Sequence, residues 1–339
     1  MGGLLFIINE NDFPACRENG ESVLFIDDDT DCVSDANPAM LKEKIQKEAD
    51  NSCDWLRDNR MSVAGDKSKL VIVGTREMKK KKLGETAMTI LVDGKEVTET
   101  KSEKLLGVII NEKMTWQEHL HGEKWRKEGE NNQGLIPQLS TRVGILKKLA
   151  RSASKRNLRI LSNGLFYSKL SYCLPLFSNT WGLDKYKDSG TRFSCFTKDD
   201  NRKLQVLQNQ VTRLLIKGSG YDREKKQNMS TEELLEKSGD LSVHQLGALY
   251  TLSLTKKILT FKKPEYLAQK LAAAPRSGTR SGTSIHQEKC SLSMMKEGFV
   301  SRGTRLYNLI PVNLKSEENI QKFKKKSKQW IKQNIPLKL

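Results

Sequence analysis

The segment Glu21-Ser-Val-Leu-Phe-Ile-Asp-Asp-Asp-Thr-Asp-Cys-Val-Ser-Asp35 decides how this chain is read. Val23–Ile26 is an apolar run of β-forming residues. It breaks into Asp27-Asp28-Asp29-Thr30-Asp31 and resumes at Cys32-Val33, so it reads as strand, turn, strand. Adjacent carboxylates at such a turn repel one another unless a cation sits between them. Asp27 and Asp28 are therefore candidate ligands for a divalent metal. A solvated acidic hairpin tip is the other reading. Asp27, Asp29 and Asp31 also mimic the start of a calcium loop, but Cys32 stands where that loop needs glycine and Pro38 where it needs glutamate.

Outward from this segment the pattern stays mixed for about 115 residues. An apolar stretch opens the chain, and Asn11-Asp-Phe-Pro14 reads as a turn. Leu41, Ile45, Ala49, Cys53 and Leu56 recur every three or four residues behind Pro38, which predicts a helix over 38–57. Leu70–Val73 reads as a buried strand. Residues 88–92 and 96–99 read as two strands joined by Asp93-Gly94, a hairpin signal. Lys104–Ile110 reads as a further strand. From about 116 the pattern turns helical, with helices predicted over 139–150, 154–173, 200–217, 242–260 and 316–333, and a short one capped at Thr231–Glu233. Residues 122–136, 183–198 and 273–290 read as loop or linker.

The 339 residues leave room for two or three domains, and 37% apolar residues suffice for a sizeable core. No apolar run approaches the roughly 18–20 residues of a membrane span. Leu4–Ile8 lacks the basic flank of a signal peptide, so the expectation is an intracellular protein, nuclear or cytoplasmic, neither secreted nor transmembrane. Six cysteines without a C-x-x-C pair argue against a zinc site, and His286 with Cys290 makes only half of one. His119, His121 and His244 receive no role.

Net charge is +18, divided as −8 over residues 1–60, +2 over 61–120 and +24 over 121–339. An acidic head on a basic body points to an acidic partner, nucleic acid first. Residues 141–180 carry eight basic residues and no acid. Arg142, Lys147, Lys148, Arg151, Lys155, Arg156, Arg159 and Lys169 would track a phosphate backbone. Phe166, Tyr167 and Tyr172 lie nearby; Phe166 and Tyr172 read either as stacking rings or as core. Lys322, Lys324, Lys325, Lys326 and Lys328 form a second cluster, readable as a phosphate-binding patch, a solvated helix face or a localisation signal.

With these residues in place, the chain resembles the reverse transcriptase of jockey-like non-long-terminal-repeat retrotransposons. Phe25-Ile26-Asp27-Asp28 is similar to that family's aromatic-x-Asp-Asp turn, with Ile26 where alanine is usual. Gly3-Leu-Leu-Phe-Ile-Ile with Asn11–Pro14 resembles the segment before it. Asn59–Leu70 resembles the next motif, with Lys67 in the place of a lysine that lies near the triphosphate and assists the leaving pyrophosphate; a plain surface lysine is the other reading. Lys104-Leu-Leu-Gly-Val-Ile-Ile with Met114–His119 resembles the primer-grip hairpin, which implies that Leu106, Gly107 and Val108 sit by the primer end. Arg142–Lys148, Asn163–Tyr172 and Trp181-Gly182 resemble the thumb, and Leu204–Arg213 and Phe299–Asn308 with Ile310-Pro311 resemble the tail. Five such motifs occur in the family's order across nearly the whole chain.

The resemblance implies an α+β fold, an incomplete polymerase palm at 1–115, a helical thumb at 116–182 and a helical basic region at 183–339. It implies Mg²⁺ (or Mn²⁺) on Asp27 and Asp28, an RNA template, a DNA primer and, for a complete polymerase, deoxynucleotide triphosphates. It also places the fingers, and a further essential aspartate on an earlier palm strand, before residue 1. Two adjacent aspartates alone do not hold two metals about 3.5–4 Å apart in working geometry. The chain is therefore expected to be inactive by itself. A non-catalytic nucleic-acid-binding remnant, and an unstable fragment with an open sheet edge, stay open beside it.

Overall fold

Asn37 and Pro38 start the helix against which the N-terminal unit is built. The computed structural model describes residues 2–74, 87–122, 133–178, 197–216, 221–222, 227–272, 284–287, 293–296 and 298–335. The chain is mixed α+β and divides into two compact units, Met1–Met114 and Thr115–Leu339. Among the described residues no helix is long and apolar enough to cross a membrane.

In the first unit, α1 (Gly2–Asn9) is followed by a 3-10 turn at Phe13–Cys16. Strands β1 (Gly20–Phe25) and β2 (Asp28–Val33) pair antiparallel with Phe25 opposite Asp28, which leaves Ile26-Asp27 as the turn. Helix α2 (Pro38–Asp58) begins where the Asn37 side chain accepts from the Ala39 N–H at 3.0 Å, and Pro38 sits in the first turn, where no N–H is needed. Its four-residue repeat Leu41, Ile45, Ala49, Cys53 packs on Leu70, Ile72, Met88, Ile90, Val92 and Val97. The larger of these contribute about 1.5–3 kcal/mol each on burial. They come from a three-stranded sheet of order β3-β5-β4, with β3 (Leu70–Val71) parallel to β5 (Lys95–Thr100) and β4 (Thr89–Val92) antiparallel to it.

Asp93 and Gly94 take φ of 49° and 75° and close the expected β4–β5 hairpin. The single strand expected over Lys104–Ile110 is instead a hairpin of β6 (Ser102–Leu105) and β7 (Val108–Asn111). Leu106 and Gly107 are its turn, both at positive φ (45° and 84°). An apolar run with one internal glycine has the same periodicity whether it continues or reverses, so the pattern alone did not reveal the turn.

Arg17 ties these pieces together. Its side chain is 3% exposed. The guanidinium lies 4.6 Å from the centre of the Phe13 ring and donates to the Glu48 carbonyl at 3.2 Å, to Ser52 Oγ and to Asp29 Oδ2. Nε stands 2.8 Å from Asp31 Oδ1, an ion pair out of hydrogen-bond alignment. Beside it the buried Glu48 carboxylate accepts the backbone N–H groups of Glu18 (3.0 Å) and Asn19. Phe13 packs edge-on against Trp55 of α2. Strand β2 is thus fixed to α2 through charge rather than apolar contact. By contrast Leu4, Leu5, Ile7 and Ile8 of α1 and Val23, Phe25 and Ile26 of the hairpin are exposed.

The second unit is helical. Its main elements are α3 (Gln117–His121), α4 (Leu135–Leu149), α5 (Lys155–Ser162), α6 (Lys198–Leu215), α7 (Thr231–Ser238), α8 (Val243–Phe261), α9 (Glu265–Ala272), α10 (Phe299–Leu309) and α11 (Ile320–Asn334). Helix α5 runs on through a π-helical turn, Asn163–Tyr167, to Ser168–Ser171. The Ser154 hydroxyl caps it, accepting from Asn157 N. Three capping boxes, Thr197/Asp200, Ser230/Glu233 and Ser242/Gln245, start α6, α7 and α8. The cap of α7 is therefore Ser230, one residue before the expected start. Leu241, Ala248, Leu249 and Leu252 pack against Leu306, Tyr307, Ile310, Leu314, Phe323 and Ile331. Here α8 and α10 approach so closely that a Cβ on Gly303 would stand 2.4 Å from Thr255 Oγ1.

Arg17→Ala would leave Asp29, Asp31 and the Glu48 carbonyl without their cation. The expected loss is about 3–5 kcal/mol of first-unit stability, measured by chemical denaturation. Burial, then the Asp29 charge, push the Asp31 carboxyl up to about 6 against the pull of Arg17. A raised carboxyl adds stability that is complete below roughly pH 3.9 and is lost as pH rises through about 6. Asp31→Asn is thus expected to gain on the parent chain between pH 5 and 7.5, and a constant difference across that range would contradict the assignment.

Candidate nucleic-acid interface and acidic turn

Strand alternation divides the acids of the hairpin. Asp29 and Asp31 share the β2 face that meets Arg17, and Ser22 Oγ donates to Asp29 at 2.6 Å. Asp28 lies on the opposite face, beside the exposed Phe25, and Asp27 lies in the turn; both are exposed. Ile26, next to them, takes φ 59°. That conformation is unusual for a β-branched residue and costs on the order of 1–3 kcal/mol. Glu10, just past α1, also belongs to this acidic group. Burial, then the charges of Asp27 and Asp29, push its carboxyl up. Nothing in the spacing of Glu10 had singled it out.

Two exposed carboxylates offer the oxygen donors that Mg²⁺ takes, usually alongside substrate phosphates. Among the described residues no group of three or more His, Cys, Asp or Glu side chains is placed to hold a metal ion. The donor set present therefore does not fit a two-metal site. Lys67 is exposed in a 3-10 turn, Gly65–Lys67, with no hydrogen bond or ion pair to Asp27 or Asp28. Of the three residues expected at a primer grip, Leu106 and Gly107 form the β6–β7 turn, whereas Val108 is 4% exposed and turned into the core. Val108 supports that hairpin from within.

In the second unit the cations read from the sequence separate into groups. Lys147 and Lys148 end α4, Arg151 lies in the connection, and Lys155 and Arg156 open α5. All five are exposed, and none makes an ion pair among the described residues. Lys155 and Arg156 sit in the first turn of a helix, where the dipole disfavours positive charge. The placement works against helix stability and suits an anion held at the corner. Arg159 instead gives Nη1 to both carboxylate oxygens of Asp240, at 2.9 and 3.2 Å. Lys169 is half-buried within electrostatic reach of His119, and Arg142 donates to the Leu165 carbonyl at 2.7 Å. Phe166 is core, with Tyr167 edge-on to it, and Tyr172 is 45% exposed. Trp181-Gly182 lies outside the described residues.

The histidines left without a role prove structural. His119 packs on the Phe177 ring, and burial, then the Lys169 charge, bring its imidazole down to about 4, so it is neutral at pH 7. His121 Nε2 lies 2.6 Å from the buried Asp200 carboxylate, which also accepts from Gln117 (2.9 Å) and the Thr197 hydroxyl (2.7 Å). The pair links α3 to the start of α6 across 79 residues of sequence, beyond what local patterning reveals. Compared with protein-family models, curated proteins and solved structures, the chain matches none.

Burial works against ionisation of Asp200, but the donors on Thr197, Gln117 and His121 outweigh it and hold the carboxyl below its ordinary value. A depressed carboxyl adds stability above its unfolded pKa, roughly 3.9, and loses it as pH falls through the folded value. Asp200→Ala is expected to lose about 1–3 kcal/mol at pH 7. That deficit should shrink in denaturation measured at pH 3, and a deficit that stays constant would refute the ionised assignment.

Proposed function

We propose that this chain is the C-terminal part of a jockey-like non-long-terminal-repeat reverse transcriptase, with part of the palm, the thumb and a helical tail, and that by itself it binds nucleic acid without copying it. The observation that carries the binding reading is the α4–α5 corner, where Lys147, Lys148, Arg151, Lys155 and Arg156 stand exposed with no counter-ion among the described residues. Five cations on a helical corner suit a phosphate backbone, releasing condensed counter-ions as they bind. In the parent reaction the partners are an RNA template and a DNA primer, extended with deoxynucleotide triphosphates. The acidic hairpin supports the polymerase part of the reading: an aromatic residue, a strained Ile26 and two solvent-facing aspartates at a tight turn. Backbone strain of that kind persists where the surrounding structure over-determines it, often at functional sites.

Asp27 and Asp28 would hold Mg²⁺ in the complete polymerase, where the metal stabilises the attacking and leaving oxygens. In the residues described, these two exposed carboxylates are what the hairpin offers to it. Lys67 would assist the departing pyrophosphate there, and Leu106 and Gly107 would lie by the primer end. The alternative, a mobile-element remnant repurposed for binding alone, shares the basic corner and dispenses with these roles.

Primer extension on the purified chain with Mg²⁺ or Mn²⁺ is expected to give no template-dependent product. Extension that Asp27→Ala abolishes would overturn the inactivity. Binding of RNA or DNA is expected to weaken with salt and to survive Asp27→Ala. Each alanine at the corner should lower the slope of log K against log salt by about 0.7–0.9. An unchanged slope would remove the corner from the interface.

A further inference from the structure

The two basic stretches of the second unit, far apart in sequence, meet at one turn. Arg159 of α5 holds the Asp240 carboxylate through Nη1, and Lys332 Nζ of α11 donates to the neighbouring Gly239 carbonyl at 2.9 Å. Lys155 and Arg156 precede Arg159 by four and three residues, so all three lie on one flank of α5. On α11, Phe323, Ser327 and Ile331 face the core. Lys325, Lys328 and Lys332 follow one another at steps of three and four and share a different flank. Lys326 is turned to Glu317 at 2.6 Å, and Lys324 lies over the Tyr250 ring at 5.0 Å.

Lys328 lies within electrostatic reach of Lys332, Asp240 and Arg159. Burial, then the Lys332 and Arg159 charges, depress its ammonium against the pull of Asp240. One carboxylate thus sits among three cations, an imbalance that a further anion relieves.

We infer that the α4–α5 corner and the Lys325–Lys328–Lys332 flank of α11 form one continuous polyanion track, joined at Asp240, along which a single nucleic-acid backbone runs. The inference rests on the nucleic-acid reading of the corner and extends it. At 1.5 Å rise per residue the α11 flank adds about 10 Å to the corner. The ligand is therefore recognised by its length and phosphate spacing rather than by its bases. Arg159 and Asp240 are positioning residues in this arrangement. Their ion pair holds α5 against the turn on which Lys332 is anchored.

Anisotropy titrations of the full chain with a 20-nucleotide and a 6-nucleotide single-stranded RNA test the track. Lys325→Glu, and separately Lys325→Ala with Lys328→Ala, are expected to weaken 20-mer binding about tenfold. The alanine pair should also lower its salt slope by about 1.4, that is about 0.7 per cation. The 6-mer, short enough to sit at the corner, should lose less than twofold. Lys325 is exposed, so Lys325→Glu keeps the test independent of any folding defect at Lys328. If Lys155→Ala with Arg156→Ala weakens the 20-mer while both α11 variants leave its affinity and slope unchanged, the track falls and the corner stands. If only the α11 variants weaken it, or the parent chain shows no salt-dependent binding, the corner reading falls and the track with it. Two 20-mers bound per chain at saturation would show separate sites and overturn the single track.

Discussion

Arg17 is an almost fully buried cation that keeps its proton at any pH a protein survives, so the acids must come to it. They come from three pieces of chain: the ring of Phe13 from the 3-10 turn, a carbonyl and a hydroxyl from α2, and two carboxylates from β2. An uncompensated charge in that position would cost several kcal/mol, which is why the hairpin cannot drift off the helix. The same requirement accounts for half of the acid in Asp27–Asp31. Asp29 and Asp31 serve the fold, and the period of two along the strand leaves Asp28 on the other face and Asp27 in the turn.

What could be read from the sequence is what local physics determines. Helix α2 carries a cap, a proline and a four-residue apolar repeat, and all three agree. Asp93-Gly94 announced its hairpin because both residues tolerate positive φ. The β6–β7 hairpin was hidden because Leu106, an ordinary strand residue, takes the first left-handed position. Helix α10 was equally obscure. Gly303 sits in its middle and argues against a helix by propensity, yet the close approach of Thr255 leaves no room for a side chain.

The candidate site follows the same division. Five of the seven cations singled out for phosphate binding, Lys147 to Arg156, are contiguous in sequence and share one corner. The other two, Arg159 and Lys169, meet partners 81 and 50 residues away, Asp240 and His119. No window of sequence contains both members of such a pair. Likewise Asp200 looks like one more acid at a helix start until His121 and Gln117 reach it.

The π-helical turn at Asn163–Tyr167 carries a consequence for how this chain tolerates insertion and deletion. A π turn is one residue added to an α-helix, and it rotates everything beyond it by about a quarter turn. Phe166 and Leu170, both fully buried, face the core on either side of that adjustment. Losing one residue between 163 and 167 would restore a regular helix and swing the following segment around its axis, so Leu170 would leave the core and Lys169 would leave His119. Helix α5 is thus indifferent to length upstream of Asn163, in the exposed connection at 150–153, and intolerant of it within the turn. In a family of related chains, gaps should collect in the former and be missing from the latter.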